Sequence, residues 1–134
     1  MIPNKLKRFI EETNCAFVAS ADQRARPHLA AGRGITVPDP FHVVFESWFC
    51  RKTMENVAEV PRVAFAVVDA ATGIGYQLTG AVEKCSQIGL LDGLAPEIEE
   101  PGMPQVQWRM TVRVEEVMEF CAGAHTDNPL SGLT

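Results

Sequence analysis

Only two stretches of this 134-residue chain repeat apolar residues at helical spacing, and both are short. In the first, opened by Pro3 and Asn4, Leu6, Phe9 and Ile10 share one face, and the pattern ends near Asn14. In the second, "RKTMENVAEV", Met54, Val57 and Ala58 share a face, and Pro61 stops it. The other apolar residues come in strand-length runs: "CAFVASA", "PHLAAGRGITV", "FHVVFESWF", "RVAFAVVDA", "IGYQLTGAVEKC" and "VQWRMTVRVEEVMEF". The turns "DQRAR", "PDP" and "TG" cut them, and Gly32, Gly34, Gly75 and Gly80 mark bends or bulges within them. A flat sheet of six strands would leave two edges open to pairing, whereas closure removes both. The expectation is a mainly β (α+β) fold: a six-stranded antiparallel barrel with an N-terminal helix and a short helix after the third strand. "RVAFAVVDA" is apolar enough for a strand covered on both faces. Residues 86–106 are expected to form a surface loop, with a helical turn or two in "IGLLDGL" and an acidic, proline-rich part at 96–104.

The length fits one domain, here 1–122, followed by a tail, 123–134, with little to bury. A composition of 46% hydrophobic and 22% charged residues is that of an ordinary soluble globule. The net charge of −5 argues against nucleic acid or an anionic membrane as partner, so any anion site must be local. "MIPNKLKRFIEE" has no apolar core of a signal peptide and no run is long enough to cross a bilayer, so a cytoplasmic protein is expected. The four cysteines, Cys15, Cys50, Cys85 and Cys121, are scattered and fit reduced structural residues. His28, His42 and His125 show no zinc-like spacing, and no metal site is expected. Cys50 stands out because it adjoins a cationic pair.

That pair, Arg51 and Lys52, sits with Thr53 where a strand hands over to a helix. A helix N-terminus offers unpaired N–H donors and partial positive charge. A guanidinium that forks two oxygens, a flexible ammonium and a hydroxyl at that place suit a phosphate. The plainer reading is two surface cations pairing with Glu55 or Glu59. The residues "RKT" alone leave both open.

Set in order, "CAFVASADQRARPHLA", "FESWFCRKTMENVAEVPRVAFAVVD" and "GYQLTGAVE" resemble the small single-domain members of the pyridoxamine 5'-phosphate oxidase-like family of FMN-binding split β-barrels. The resemblance covers roughly residues 6–120 and is most specific in "RKTMENVAEVPRVAF". It implies a split barrel in which Arg51, Lys52 and Thr53 hold the FMN phosphate. Phe45, Glu46, Ser47 and Trp48 would pass beneath the flavin and its ribityl chain with their backbone groups. Ala31, Gly32 and Arg33 would line the other part of the site, with Arg33 as that strand's one long polar side chain. It further implies a homodimer with two flavin sites at the interface, to which the second subunit contributes; Gln77 and Trp108 are the candidates. From the residues alone, Gln77 fits a cleft or solvent, and Trp108 and Trp48 each fit a flavin contact or the core. Asn56 fits a role beside the phosphate loop or in fixing the helix, and His28 a structural role.

The activity the resemblance implies is FMN-dependent oxidoreduction by hydride or electron transfer, on a small substrate that no side chain announces. A non-catalytic FMN-binding electron carrier and a haem- or deazaflavin-binding member of the fold are the alternatives. True pyridoxamine-phosphate oxidases end in an arginine-rich segment closing on Arg-Leu-Pro. This sequence ends in "AHTDNPLSGLT", so the vitamin B6 activity itself is not expected.

Overall fold

The computed structural model describes residues 2–91 and 105–130. Helix α1 (Asn4–Thr13) leads into β1 (Cys15–Ala21), β2 (Pro27–Asp39) and β3 (His42–Trp48). Helix α2 (Arg51–Glu59) follows, then β4 (Arg62–Asp69), β5 (Ile74–Leu91) and β6 (Gln105–Phe120). All neighbouring strands pair antiparallel, and the barrel closes in the order β1-β2-β3-β6-β5-β4. The architecture is the expected mainly β split barrel with its N-terminal helix. Since β3 neighbours β2 and β6 while β4 neighbours β1 and β5, the β3–β4 link must travel from one side of the barrel to the other. Helix α2 is that link, and it packs against β1 and β2.

Alternation sets the interior. Val18, Val43, Phe65, Val67, Leu78, Met110, Val112 and Val117 are fully or almost fully buried. Phe45 meets the rings of Trp48 and Phe65 edge-on, with centroids 5.3 and 5.2 Å apart. Phe45 and Trp48 are three residues apart, so strict alternation would put them on opposite faces. A register shift between them in the β3–β6 ladder turns both inward. Gly32 makes room for the second ring: a Cβ there would lie 2.1 Å from Trp48 Cζ3.

Helix α1 is stitched to β2 by polar contacts. Asn14 ends the helix in a left-handed conformation, at φ 52°, and its Oδ1 accepts from the N–H groups of Gly34 and Ile35 at 3.0 and 2.9 Å. Glu11 Oε2 accepts from the Val37 N–H at 2.9 Å, and Lys7 Nζ donates to Glu11 and to the Val37 carbonyl. On the apolar side Leu6 and Ile10 are buried.

Two expectations are corrected. The surface loop expected over residues 86–106 begins later and ends sooner, because β5 runs on to Leu91 and β6 starts at Gln105. The pairs Gln87↔Trp108, Gly89↔Gln107 and Leu90↔Val106 satisfy the backbone there, so "IGLL" is strand and not a helical turn. The acidic stretch 96–104 lies outside the described residues. Secondly, β4 is covered on one face only in this chain: Val63, Phe65 and Val67 are buried, while Ala64, Ala66 and Val68 are half-exposed. In the tail, the Leu130 N–H donates to the Val117 carbonyl at 2.8 Å and the side chain packs on the core. No described helix is long and apolar enough to cross a membrane.

Candidate functional site

The β3–α2 junction gathers the cationic residues. Strand β3 ends at Trp48, Phe49 and Cys50 turn the chain, and Arg51 opens α2. Cys50 is the N-cap, in extended conformation, and its side chain makes no capping hydrogen bond. The first N–H donors of α2 thus lack the oxygen that Ser, Thr, Asp or Asn would supply. Thr53, in the same first turn, is fully buried, and its Oγ1 has no hydrogen-bond partner among the described residues. A buried hydroxyl without a partner is costly, and an acceptor or donor brought by a ligand relieves it. Arg51 and Lys52 are exposed, with Arg51 Nε 3.7 Å from Glu55 Oε1. The pairing with Glu55 therefore forms, but as a loose surface contact of little energy.

Asn56 is buried and donates from Nδ2 to Ser20 Oγ at 3.1 Å, which fixes α2 to β1. His28 Nε2 lies 3.3 Å from Cys50 Sγ, so β2 also reaches this turn.

The remaining candidates divide by strand face. Phe45 and Trp48 are buried with their rings in the core, so only their backbones can reach a ligand. The Trp48 ring lies against Gly32 in the interior and is not free to stack on a cofactor. Glu46 and Ser47 are half-buried, and both are engaged by neighbours. Glu46 accepts from Thr36 Oγ1 at 2.9 Å and from Arg109 Nε at 2.7 Å, while Ser47 Oγ accepts from Gln107 Nε2 at 2.8 Å. Ala31 and Arg33 are exposed on the outer face of β2, with Arg33 paired to Ser47. Gly32, between them, points the other way.

Gln77 joins the same outer face by a different route. The ladders place Ala31 opposite Phe17, Phe17 opposite Ala66, and Ala66 opposite Gln77. That row lies along a shallow cavity of about 590 Å³ whose walls include Phe17, Leu29, Ala64, Ala66, Gln77 and Phe120. Trp108 is elsewhere: it is half-buried, faces Gln87 and Trp48 across the ladders, and lines a separate 280 Å³ cavity with Met54, Val57 and Val82.

Sequence reasoning passed over the apolar outer face. Phe17, Leu29 and Phe120 are 49%, 66% and 40% exposed, side by side with alanines. The signal was in β1, where Ala16, Val18 and Ser20 occupy one phase of the alternation and the phenylalanine the other.

The site residues fit the phosphate of a flavin nucleotide. An uncapped helix N-terminus, two cations and a buried, partnerless hydroxyl form one turn, and an apolar face large enough for a planar ring system borders the neighbouring strands.

A family model described as "Pyridoxamine 5'-phosphate oxidase" matches residues 2–118. No curated protein matches the chain. Among solved structures, HupZ of Group A Streptococcus superposes with a TM-score of 0.68 at 19% identity, over 94% of this chain and 99% of that one. An FMN-binding protein from Syntrophomonas wolfei gives 0.65 at 11% identity, over 91% and 86%. An F420 reductase gives 0.61 at 16%, over 87% and 98%. At such identities these likenesses establish a common fold.

Proposed function

The chain belongs to the pyridoxamine 5'-phosphate oxidase family, and from that premise we propose that it is an FMN-binding oxidoreductase acting by hydride or electron transfer on a small substrate. The observation that carries the reading is the first turn of α2, where Thr53 keeps a buried hydroxyl without a partner beside Arg51, Lys52 and uncapped N–H groups. Arg51 would fork two phosphate oxygens, Lys52 would neutralise charge, and Thr53 would take the remaining oxygen. The backbone of residues 45–48, together with Ala31, Gly32 and Arg33, would border the ribityl chain and ring. Bound flavin supplies the hydride or electron chemistry. Arg33, as a cation near the ring, would favour the reduced, more anionic state. The FMN-binding likeness from Syntrophomonas wolfei supports this choice of cofactor, and the F420 reductase keeps a deazaflavin as the second reading.

The assembly that goes with this reading is a homodimer formed on the outer face of β1, β4 and β5, with Gln77 serving the partner's flavin; Trp108, the other candidate, lies away from that face. Free cysteines at all four positions suit a reducing cytoplasm.

The test is spectroscopic. Protein loaded with excess FMN and desalted should keep a two-band flavin spectrum; a colourless protein ends the FMN reading, and a single intense Soret-type band would point to haem. Rapid anaerobic bleaching by a nicotinamide cofactor supports an enzyme, and reduction only by a protein donor supports a carrier. In the double variant Arg51→Ala, Lys52→Ala, FMN affinity should fall by about 3 kcal/mol, on the order of a hundredfold, for two charge-assisted contacts. An unchanged dissociation constant would remove the phosphate assignment.

A further inference from the structure

The β3–α2 junction holds a second chemistry that phosphate binding does not use. Cys50 Sγ, at the N-cap of α2, and His28 Nε2, at the start of β2, are 3.3 Å apart and half-buried. With the ring proton on Nδ1, Nε2 accepts from the thiol. A nucleophile within hydrogen-bond reach of a base is the geometry of an activated thiol. Two of the other three cysteines, Cys121 and Cys85, differ. Cys121 lies 3.6 Å from His125 Nδ1, but that nitrogen is 2.8 Å from the Gly123 carbonyl and must donate its proton there. Partial desolvation pushes the Cys85 thiol up, away from its nucleophilic form.

Cys50 is also the N-cap of α2, where a sulfhydryl gives the helix no cap. Thr53 lies three residues on, in the same first turn. Its Oγ1 is fully buried and partnerless, as an unmet demand for an oxygen at that spot. An oxygen added to Cys50 Sγ would lie one bond beyond it, as an aspartate N-cap oxygen does, and rotation about Cα–Cβ would carry it from His28 to the N–H groups of the first turn.

We propose that Cys50 is a peroxide-sensitive thiol, activated by His28, whose sulfenic acid caps α2 and displaces the phosphate of FMN from the same donors. In the step, Sγ attacks one oxygen of hydrogen peroxide and the O–O bond breaks. The thiol proton passes to His28 Nε2 and on to the departing hydroxide, which leaves as water. Sulfur is oxidised by two electrons and peroxide is reduced by two. A thiol restores the starting state by reducing the sulfenic acid through a disulfide. The displacement half of the proposal rests on the FMN reading; the reactivity half does not.

The reduced full-length protein is exposed to one equivalent of hydrogen peroxide with dimedone present, and the cysteine peptides are quantified by mass spectrometry over time. Cys50 should be trapped first among the four cysteines, and His28→Gln should slow its trapping at least tenfold while the melting temperature confirms a folded protein. Faster trapping at Cys15, Cys85 or Cys121, or an unchanged rate in H28Q, overturns the activation. The dissociation constant for FMN, read from quenching of its fluorescence, should rise at least fivefold on oxidation of the wild type and stay constant in Cys50→Ala. Oxidised Cys50 with unchanged FMN affinity overturns the displacement. If the reduced protein fails to bind FMN, the flavin reading and the displacement fall together, and the order of cysteine trapping still decides the activation.

Discussion

Thr53 separates a structural role from a binding role more sharply than either cation does. Its Oγ1 is buried without a partner, so in the free protein the hydroxyl is a liability. Thr53→Val keeps the shape and removes that group; the free protein should gain about 1 kcal/mol, seen as a rise in thermal midpoint of several degrees. The same change should weaken FMN at least tenfold. A loss of stability in the variant would mean that the hydroxyl already has a structural partner, and the site reading would lose its main support. The residue types at this turn were legible in the sequence, where "RKT" before a helical pattern left an anion site and a surface cation pair both open. What it could not announce is direction. Arg51 and Lys52 turn to solvent while Thr53 turns inward, because a helix rotates about 100° per residue and the barrel occupies only one side. Trp48 was open between ring contact and core for the same reason, and a ladder shift beside Phe45 decided it.

At the scale of elements, the hold of α1 on β2 depends on charge. Glu11 accepts from the Val37 N–H and from Lys7, and these contacts, the backbone one first, hold its carboxyl below the ordinary value of 4.5. A carboxylate depressed in the folded state stabilises it above the unfolded value, and the stabilisation is lost as pH falls through the lower, folded value. Denaturant midpoints should therefore drop between about pH 5 and pH 3 more steeply in the wild type than in Glu11→Gln, whose amide oxygen can still accept from Val37 but does not titrate. Parallel profiles in the two proteins would show that Glu11 does not sense pH in this way. Most elements were legible because turn residues bracket them: "CAFVASA" is β1 to the residue. The β5–β6 extension was not. Ser86, Gln87 and Gly89 look like loop composition, and only their partners Arg109, Trp108 and Gln107, some twenty positions away in the chain, make them strand.

For the whole molecule, closure into a barrel could be argued from six strands and the cost of two open edges, but the fate of the barrel's outside could not. "RVAFAVV" reads as a strand with two buried faces, and one copy of the chain buries only Val63, Phe65 and Val67. The outer phase, Ala64, Ala66 and Val68, adjoins Phe17, Leu29 and Phe120 in a patch with small residues at its centre and large ones around it. A second copy seated there would supply the missing cover, which joins the sequence pattern and the proposed dimer in one physical account. Leu29, 66% exposed in the single chain, is the residue to change, since a charge there costs the monomer nothing in its core. In Leu29→Glu, pairing across the two-fold would bury unpaired carboxylates, and the dimer should weaken by about 3 kcal/mol or more. Sedimentation velocity at micromolar concentration should then show a dimer for the wild type and a monomer for the variant, with unchanged circular dichroism. In the proposed assembly the flavin ring would lie at that interface, so FMN affinity should fall with the dimer. A Leu29→Glu protein that remains dimeric would move the interface to another face, and a monomeric variant with full FMN affinity would confine the flavin site to a single chain.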